Sequence, residues 1–363
     1  MAGPKAGLSL WPGIFDPSTT PHPGGKALTL QGGAQRILVT GGAGFIGANV
    51  VHMLLEHGYS VTVLDNLSVG RREYLDGLPL ELIKGDIRDA DLIDRVVAGH
   101  SGIVHLAAQT GVPGSIADPR RDCEVNVIGT LNLLEAIRAV RSPQSVRFVL
   151  ASSNAPLGRQ APPATEDKAP LPMSPYGASK LGGEAYCLAY YGSWALATVV
   201  LRFGNVYGPV SAHKNSVVAK FFKDVLTKGE IIIDGDGRQT RDFIHVDDLR
   251  RAVLLALRHD VRGEVFQIAT GVETSIRELA ELVQMVTHRE VMVGHGPNRP
   301  GDISKNYSGI GKAAQILGWR PEIDLRSGLE KTWLWFASPA CAEQRPQGSV
   351  LESSRIRGRE VGI

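Results

Sequence analysis

The stretch "SPYGASK" places Tyr176 and Lys180 four residues apart, so on a helix both side chains leave the same face. A phenol is a poor base at its ordinary pKa of about 10. Beside an ammonium, and more so beside a cationic nicotinamide ring, the phenolate is favoured and the group can take a proton from an alcohol. A second hydroxyl is needed to hold that alcohol in line. "LASSNAPLG" offers Ser152 and Ser153 shortly upstream. Tyr-x-x-x-Lys alone arises readily by chance on helices and gains weight only with a partner for electron transfer.

Such a partner is implied by "ILVTGGAGFIGANV" (37–50). Gly42, Gly44 and Gly47 satisfy G-x-G-x-x-G, and Gly41, Gly44 and Gly47 satisfy G-x-x-G-x-x-G. The loop follows an apolar run and opens a helical one, where glycines allow a tight turn, close approach of a pyrophosphate and close helix–strand packing. The helix N-terminus adds free N–H groups and a positive dipole end. Asp65, closing the next apolar run "SVTVLD", is placed to accept from ribose hydroxyls. Its charge opposes a 2′-phosphate and so favours NAD over NADP, although Arg71 and Arg72 pull the other way. Asp86 in "KGDIRD" ends a third run and is a candidate adenine contact. A glycine turn used only for packing is the bland alternative, and the combination argues against it.

These groups need a frame that gathers them. Candidate strands are "RILVT" (36–40), "SVTVLD" (60–65), "ELIKG" (81–85), "GIVHLA" (102–107), "VRFVLAS" (146–152) and "LATVVLR" (196–202). Between them lie helical patterns, among them 126–140 and 174–191. Apolar strands separated by helices read as βαβ crossovers. The expected fold class is therefore α/β, a doubly wound parallel sheet of the Rossmann kind with a smaller C-terminal α/β substrate lobe. In that architecture strand ends such as Ser152 and Ser153 face the ligand crevice. The expected organisation is a loose Pro/Gly-rich lead (1–35), an NAD-binding domain (36–205), a substrate lobe interleaved with it (206–337) and a polar tail (338–363). Within the lobe, "IIID" and "VFQIA" are its shorter strands.

Bulk properties narrow the class. Of 363 residues, 43% are hydrophobic and 21% charged, and the net charge is +2. That balance sets up no overall field toward nucleic acid or an anionic membrane, though it leaves local basic sites possible. No apolar run is long enough to span a bilayer, and the lead lacks the basic-then-apolar order of a secretory signal. Cys123, Cys187 and Cys341 are odd in number and widely spaced, which suits a reducing, cytoplasmic setting rather than a disulfide framework. No cluster has metal-ligand spacing.

The motifs together resemble the extended short-chain dehydrogenase/reductase superfamily, in its NAD-dependent nucleotide-sugar epimerase/dehydratase branch (UDP-glucose 4-epimerase-like). The likeness runs over about residues 36 to 337, through "TGGAGFIG", "LDN", "GDIRD", "LAAQ", "NVIGTLNLLEA", "SSNAPLG", "SPYGASK", "RFGNVYGP", "GDGRQTRDFIHVDD" and "RPGD". It implies Ser153 as the orienting hydroxyl, Tyr176 as the base, and Lys180 as its helper, which also holds the nicotinamide ribose. It implies NAD contacts at Gly41, Gly44, Phe45, Ile46, Gly47, Asp65, Asn66, Asp86, Ile87, Ala107, Ala108, Gln109 and Asn126, besides Tyr176 and Lys180. On the substrate side it implies Ser115, Ser153, Asn205, Arg241, Arg299, Asp302 and Asn306. Two guanidiniums from separate loops suit a diphosphate, and Asp302 suits the nucleoside ribose. A lone arginine is more often a surface ion-pair partner; inside "QTRDF" and "RPGD" the substrate role is preferred. His213 and Lys214 read as a solvated loop, His245 as structural. One departure stands out: Leu157 occupies the place where the family has a tyrosine.

The resemblance also selects a reaction. Dehydratases of the family carry an acidic pair after the catalytic hydroxyl, whereas here Asn154 and Ala155 follow Ser153. The Glu of decarboxylating members is missing near Ala155 too. What remains is oxidation at sugar C4 and return of the hydride to the other face, a 4-epimerisation that recycles NAD. The expected substrate is a nucleotide-diphosphate sugar, with a UDP-hexose as the family expectation. Asn306 faces the C2 substituent by family position, and its small amide leaves room for an N-acetyl group; capping a helix near Ser308 is its alternative. Competing readings are another nucleotide-sugar epimerase, including a UDP-glucuronate 4-epimerase, a 4-ketoreductase, or a non-catalytic NAD-binding module. Intact Tyr176 and Lys180 argue against the last. The resemblance also implies a homodimer through the helices near 126–140 and 174–191.

Overall fold

The computed structural model describes residues 35–298, 304–338 and 341. The six runs expected as strands are strands: β1 (Arg36–Thr40), β2 (Ser60–Asp65), β3 (Glu81–Lys84), β4 (Gly102–His105), β5 (Arg147–Ser153) and β6 (Ala197–Phe203). Shorter strands follow as β7 (Asn205–Tyr207), β8 (Glu230–Asp234), β9 (Thr240–Arg241), β10 (Phe243–His245), β11 (Glu264–Ile268), β12 (Thr274–Ser275) and β13 (Met292–Gly296). The helices are α1 (Phe45–Glu56), α2 (Ala90–Val97), α3 (Val112–Ala117), α4 (Pro119–Cys123), α5 (Gly129–Ala139), α6 (Pro175–Trp194), α7 (Val217–Lys228), α8 (Val246–Arg258), α9 (Ile276–Thr287), α10 (Gly311–Ile316) and α11 (Leu325–Ala337).

Seven strands make one parallel sheet in the order β11-β6-β5-β4-β1-β2-β3. The chain runs outward from β1 to β3 and returns to β4 on the other side of β1. Connections leaving β1 and β4 therefore diverge, and a crevice opens at their carboxyl ends. The seventh strand, β11, comes from the segment expected to form the smaller lobe. It pairs with β6 from Glu264 opposite Val199 to Ile268 opposite Phe203. The remaining pairs are small: β7 with β10, β8 with β13 and β9 with β12.

The sheet is apolar on both faces, as an interior parallel sheet must be. Leu38 and Ile103 face a cluster with Ile93, Leu133, Leu134, Ile137 and Cys187 from α2, α5 and α6. Val39 and Val104 face the opposite cluster with Val50, Leu54, Leu249 and Val253 from α1 and α8. Each such aliphatic side chain contributes roughly 1.5–3 kcal/mol by leaving water. The second cluster continues through Phe222, Trp333 and Phe336 of α7 and α11.

Two local features position the crevice residues. Ser174 caps α6, its hydroxyl accepting from Gly177 N at 3.1 Å, and Pro175 fills the first helical position, both standard start signals. The helix expected over 126–140 is longer and irregular. α4 passes through a π-helical turn (Glu124–Ile128) into α5, and such turns concentrate at functional positions. Among the described residues no helix is long and apolar enough to cross a membrane.

Candidate active site

The glycine loop between β1 and α1 is shaped by backbone contacts that exclude side chains. Gly41 has φ +71°, and a Cβ there would lie 2.6 Å from Ala107 N. A Cβ on Gly47 would lie 2.1 Å from Gly41 O and 2.6 Å from Gly42 Cα. Gly44, at the N-cap of α1, has no side-chain capping bond, so the free N–H groups of the first turn face the crevice end of the helix. This bare, donor-rich cradle fits a dinucleotide pyrophosphate. Phe45 is buried beside it and Ile46 half-buried.

Asp65 ends β2 behind this loop. One carboxylate oxygen accepts from Ala43 N at 3.0 Å and the other from Leu67 N at 2.8 Å. Burial raises its pKa while these two bonds oppose the rise. Each oxygen keeps a second lone pair for a ribose hydroxyl. Asp86 is more heavily engaged. Arg88 donates to it through Nε, Nη2 and its backbone N–H, each at 3.0 Å, and Asn66 Nδ2 donates at 3.1 Å. The Arg88 guanidinium holds that carboxyl well below the usual range, so an adenine contact there would share an ion-paired group. Ile87 is buried, packed where a Cβ on Gly129 would come within 2.5 Å of it.

The loop after β4 carries Ala107, Ala108 and Gln109, all half-buried. Asn126, in the π-helical turn, clasps it: Gln109 N donates to Asn126 Oδ1 at 2.8 Å, and Asn126 Nδ2 donates to Gln109 O at 3.0 Å. The same amide donates to Ser179 Oγ at 3.0 Å, which ties the cofactor side to α6.

Ser153, Tyr176 and Lys180 come together at the carboxyl edge of β5. Burial pushes the Tyr176 phenol up to about 12; the hydrogen bond with the Ser153 hydroxyl lowers it and the Asp122 carboxylate raises it. The downward pull expected from Lys180 does not set the balance in the protein alone. Lys180 Nζ donates to Ala151 O at 2.8 Å, and its own pKa falls to about 8 through burial, with Asp122 and Glu184 opposing. Ser153 Oγ also accepts from Ala155 N at 3.2 Å. Ser152, the other candidate hydroxyl, turns inward and donates to Glu184.

Asn205 donates through its backbone N and its Nδ2 to Asp242 O, at 2.8 and 3.2 Å. Arg241 is half-buried on β9, with Nη1 donating to Thr240 O at 2.6 Å. Asn306 is half-buried on a stretch that bridges to Ala164 at Ser308. The next helix, α10, starts only at Gly311, so Asn306 caps no helix. Arg299 and Asp302 lie outside the described residues. Ser115 is fully buried in α3, where its hydroxyl donates to Val112 O at 2.8 Å. His213 and Lys214 are half-buried. Tyr74 meets His213 Nδ1 at 3.4 Å, and Lys214 Nζ reaches Thr110 Oγ1 at 3.4 Å beside the cofactor loop.

Several polar residues under the site were not anticipated. Thr40, His105 and Thr130 form a buried chain, with Thr40 Oγ1 to His105 Nδ1 at 2.7 Å and His105 Nε2 to Thr130 Oγ1 at 3.0 Å. Burial, with the Lys180 charge adding, lowers the His105 pKa to about 3. Glu184 pairs with Arg202 of β6 at 2.7 Å, both side chains buried. Its i+4 spacing from Lys180 was a legible signal. Asn154 donates to Ser308 Oγ at 2.8 Å, and Ser308 N to Asp242 at 3.2 Å, linking the loop after Ser153 to the second segment. Leu157, in the family's tyrosine place, is in the core. His245 is buried against Tyr207 and caps α8.

Residues 37–269 match the model of the NAD dependent epimerase/dehydratase family. The chain is 38% identical to the UDP-glucose 4-epimerase of Thermotoga maritima, solved with UDP-glucose, over 83% of this chain and 98% of that one, with a TM-score of 0.78. It is 35% identical to the Thermus thermophilus UDP-glucose 4-epimerase solved with NAD, over 84% of this chain and 100% of that one, TM-score 0.77. A UDP-N-acetylglucosamine 4-epimerase from Methanobrevibacter ruminantium, in complex with UDP-N-acetylmuramic acid, is 33% identical over 84% of this chain and 98% of that one, TM-score 0.79.

Proposed function

The chain belongs to the NAD-dependent epimerase/dehydratase family, and on that premise we propose that it is an NAD-dependent UDP-sugar 4-epimerase. The observation that carries this reading is the pairing of Tyr176 with Ser153 at the crevice edge, next to a glycine cradle and followed by Asn154 and Ala155 rather than acids. When bound, NAD supplies a hydride acceptor and donor and a positive charge near the phenol. The cradle residues Gly41, Gly44 and Gly47 bind the pyrophosphate, Asp65 the adenosine ribose, and Ala107, Gln109 and Asn126 fix the wall behind the nicotinamide end. Lys180 holds the nicotinamide ribose and its ammonium favours the phenolate. Tyr176 takes the proton of the sugar 4-hydroxyl, Ser153 aligns that oxygen, and Tyr176 returns the proton after the 4-keto sugar has turned.

Arg241, Arg299 and Asn205 grip the diphosphate, Asp302 the nucleoside ribose, and Asn306 borders the C2 substituent. Residues 36–205 act as the NAD-binding unit and 206–337 as the substrate lobe. Because Asn306 is small, the enzyme accepts N-acetylated UDP-hexosamines beside UDP-glucose and UDP-galactose. Ile128, Tyr186, Leu188 and Trp194 are exposed near and along α6, which supports a homodimer through this face. Free Cys123, Cys187 and Cys341 suit a cytoplasmic enzyme.

The test is to incubate purified protein, without added NAD, with UDP-galactose and with UDP-N-acetylglucosamine. Both should reach equilibrium with their C4 epimers. Asn306→Tyr should retain the plain hexose and lose the N-acetyl sugar. No epimer from any UDP-sugar would sink the reading.

A further inference from the structure

His213 and Lys214, which read from the sequence as a solvated loop, belong to a strap across the glycine cradle. β1 lies between β2 and β4 in the sheet, and residues 209–214 reach anchors on three sides of the cradle that follows β1. From α1, Asn49 Nδ2 donates to Pro209 O at 3.3 Å. On the β2 side, Tyr74 meets His213 Nδ1 at 3.4 Å. The turn that carries Tyr74 is itself tied to the cradle, Arg71 N donating to Ala43 O at 2.9 Å. On the β4 side, Lys214 Nζ reaches Thr110 Oγ1 at 3.4 Å, in the loop whose Ala107 backs Gly41.

The strap is held in a conformation that its sequence resists. Val210 has φ +69°, where β-branched residues are rare, and such strain persists mainly where the surroundings over-determine it, as at ligand clamps. Ser211 Oγ donates to Gly208 O at 2.6 Å and Lys214 N to Ser211 O at 2.9 Å, closing the turn. From α7, Lys223 Nζ donates to Lys214 O at 2.7 Å. What this turn delivers is an ammonium with little to hold. Lys214 is half-buried, and of the three donors on an ammonium only one is used among the described residues, in the long contact to Thr110. No described carboxylate pairs with it; Asp224 of α7 is taken by Lys220 and Lys228. His213 beside it is kept neutral by burial, which lowers its pKa to about 4, so it is an anchor and not a second charge. Burial alone disfavours the charged form of Lys214, and an anion brought by a ligand would reverse that.

We propose that Lys214 is a cofactor-holding residue: its ammonium takes a phosphate oxygen of the dinucleotide, and the 209–214 strap thereby keeps NAD in the crevice between turnovers. The anchors favour the dinucleotide over the sugar nucleotide as the source of that phosphate. They stand on α1, on the turn after β2 and on the loop after β4, the elements that surround the cradle, and not on β9, which carries Arg241. The glycine loop offers a doubly negative pyrophosphate N–H donors but no full positive charge. A charge-assisted bond from a lysine supplies what the loop lacks. The strap also follows directly on β7, which begins with Asn205, so it links cofactor retention to the segment that carries substrate-side groups. An enzyme that returns its hydride within one cycle gains from a cofactor that does not leave.

The inference rests on the NAD-dependent reading of the site, and its test needs no turnover. Wild type, Lys214→Met, Lys214→Gln and Lys214→Arg are loaded with NAD, and the rate of NAD release on dilution is followed by filtration. Affinity for UDP is measured by calorimetry on the same NAD-loaded proteins. Both neutral variants should release NAD at least about tenfold faster, the scale of one charge-assisted hydrogen bond. Lys214→Arg, which keeps the charge, should stay near wild type, and UDP affinity should not move in any of them. Lys220→Met removes a neighbouring charge that is already paired with Asp224, and it should release NAD as wild type does. Unchanged release in both neutral variants, an equal acceleration in Lys220→Met or in Lys214→Arg, weaker UDP binding with NAD release intact, or failure of both neutral variants to fold would each overturn the proposal. A wild type that holds NAD yet converts no UDP-sugar would defeat the proposed function alone, because both readouts are binding measurements.

Discussion

Gly47→Ala should disable cofactor binding through a clash inside the protein itself. The added Cβ would lie 2.1 Å from Gly41 O, where ordinary contact begins at 3.4 Å, so the loop must open by about 1.3 Å (3.4 − 2.1). The atoms in conflict are backbone, so no rotamer change relieves them. Gly41 O also accepts from Gly44 N at 3.2 Å, and moving it loosens the turn that presents the first N–H groups of α1. Overpacking of this kind costs roughly 1–3 kcal/mol. For a chain of this size that lowers the melting temperature by about 2–4 °C per kcal/mol. Because the displaced atoms are those facing the pyrophosphate, NAD retention should fall at least about tenfold, the equivalent of about 1.4 kcal/mol. Gly192→Ala is the control: it is on α6 with no atom within 4 Å of a Cβ, and it should match or exceed wild-type stability by up to about 1 kcal/mol. Retained NAD is assayed in the supernatant of heat-denatured protein, and melting is followed with and without added NAD. Wild-type NAD content and melting in Gly47→Ala would refute the steric argument.

Stability should fall as pH drops from 6.5 toward 4. Burial lowers the pKa values of His52, His105 and His245 to about 4, 3 and 4, so in that window the unfolded chain binds more protons than the folded one; equal urea midpoints at pH 7 and 4.5 would contradict this. Arg241→Ala should raise KM for UDP-galactose with kcat largely kept, since a diphosphate grip is alike in ground and transition states; an equal loss in kcat would give Arg241 a different role.

The strand runs and the glycine loop were legible because short-range rules govern them. Period, turn residues and the need for a bare backbone at Gly41 and Gly47 are written in adjacent positions. Asp65 was singled out by the same logic, but that it braces Ala43 N and Leu67 N depends on a loop conformation that the sequence does not spell out. The seventh strand was read as part of the smaller lobe, because which sheet "VFQIA" joins is decided by a pairing with β6 more than sixty residues away. The burial of Ser115 and of the Tyr176 phenol was not legible, because burial is a property of the folded whole.

The central claim is that the sugar loses and regains the same hydrogen at C4 within one site. UDP-galactose carrying deuterium at C4 tests it most directly, with the product examined by mass spectrometry and NMR in ordinary water. The account predicts UDP-glucose that keeps the deuterium at C4, formed without added NAD and abolished in Tyr176→Phe. Product that has exchanged its C4 deuterium for solvent hydrogen would contradict it.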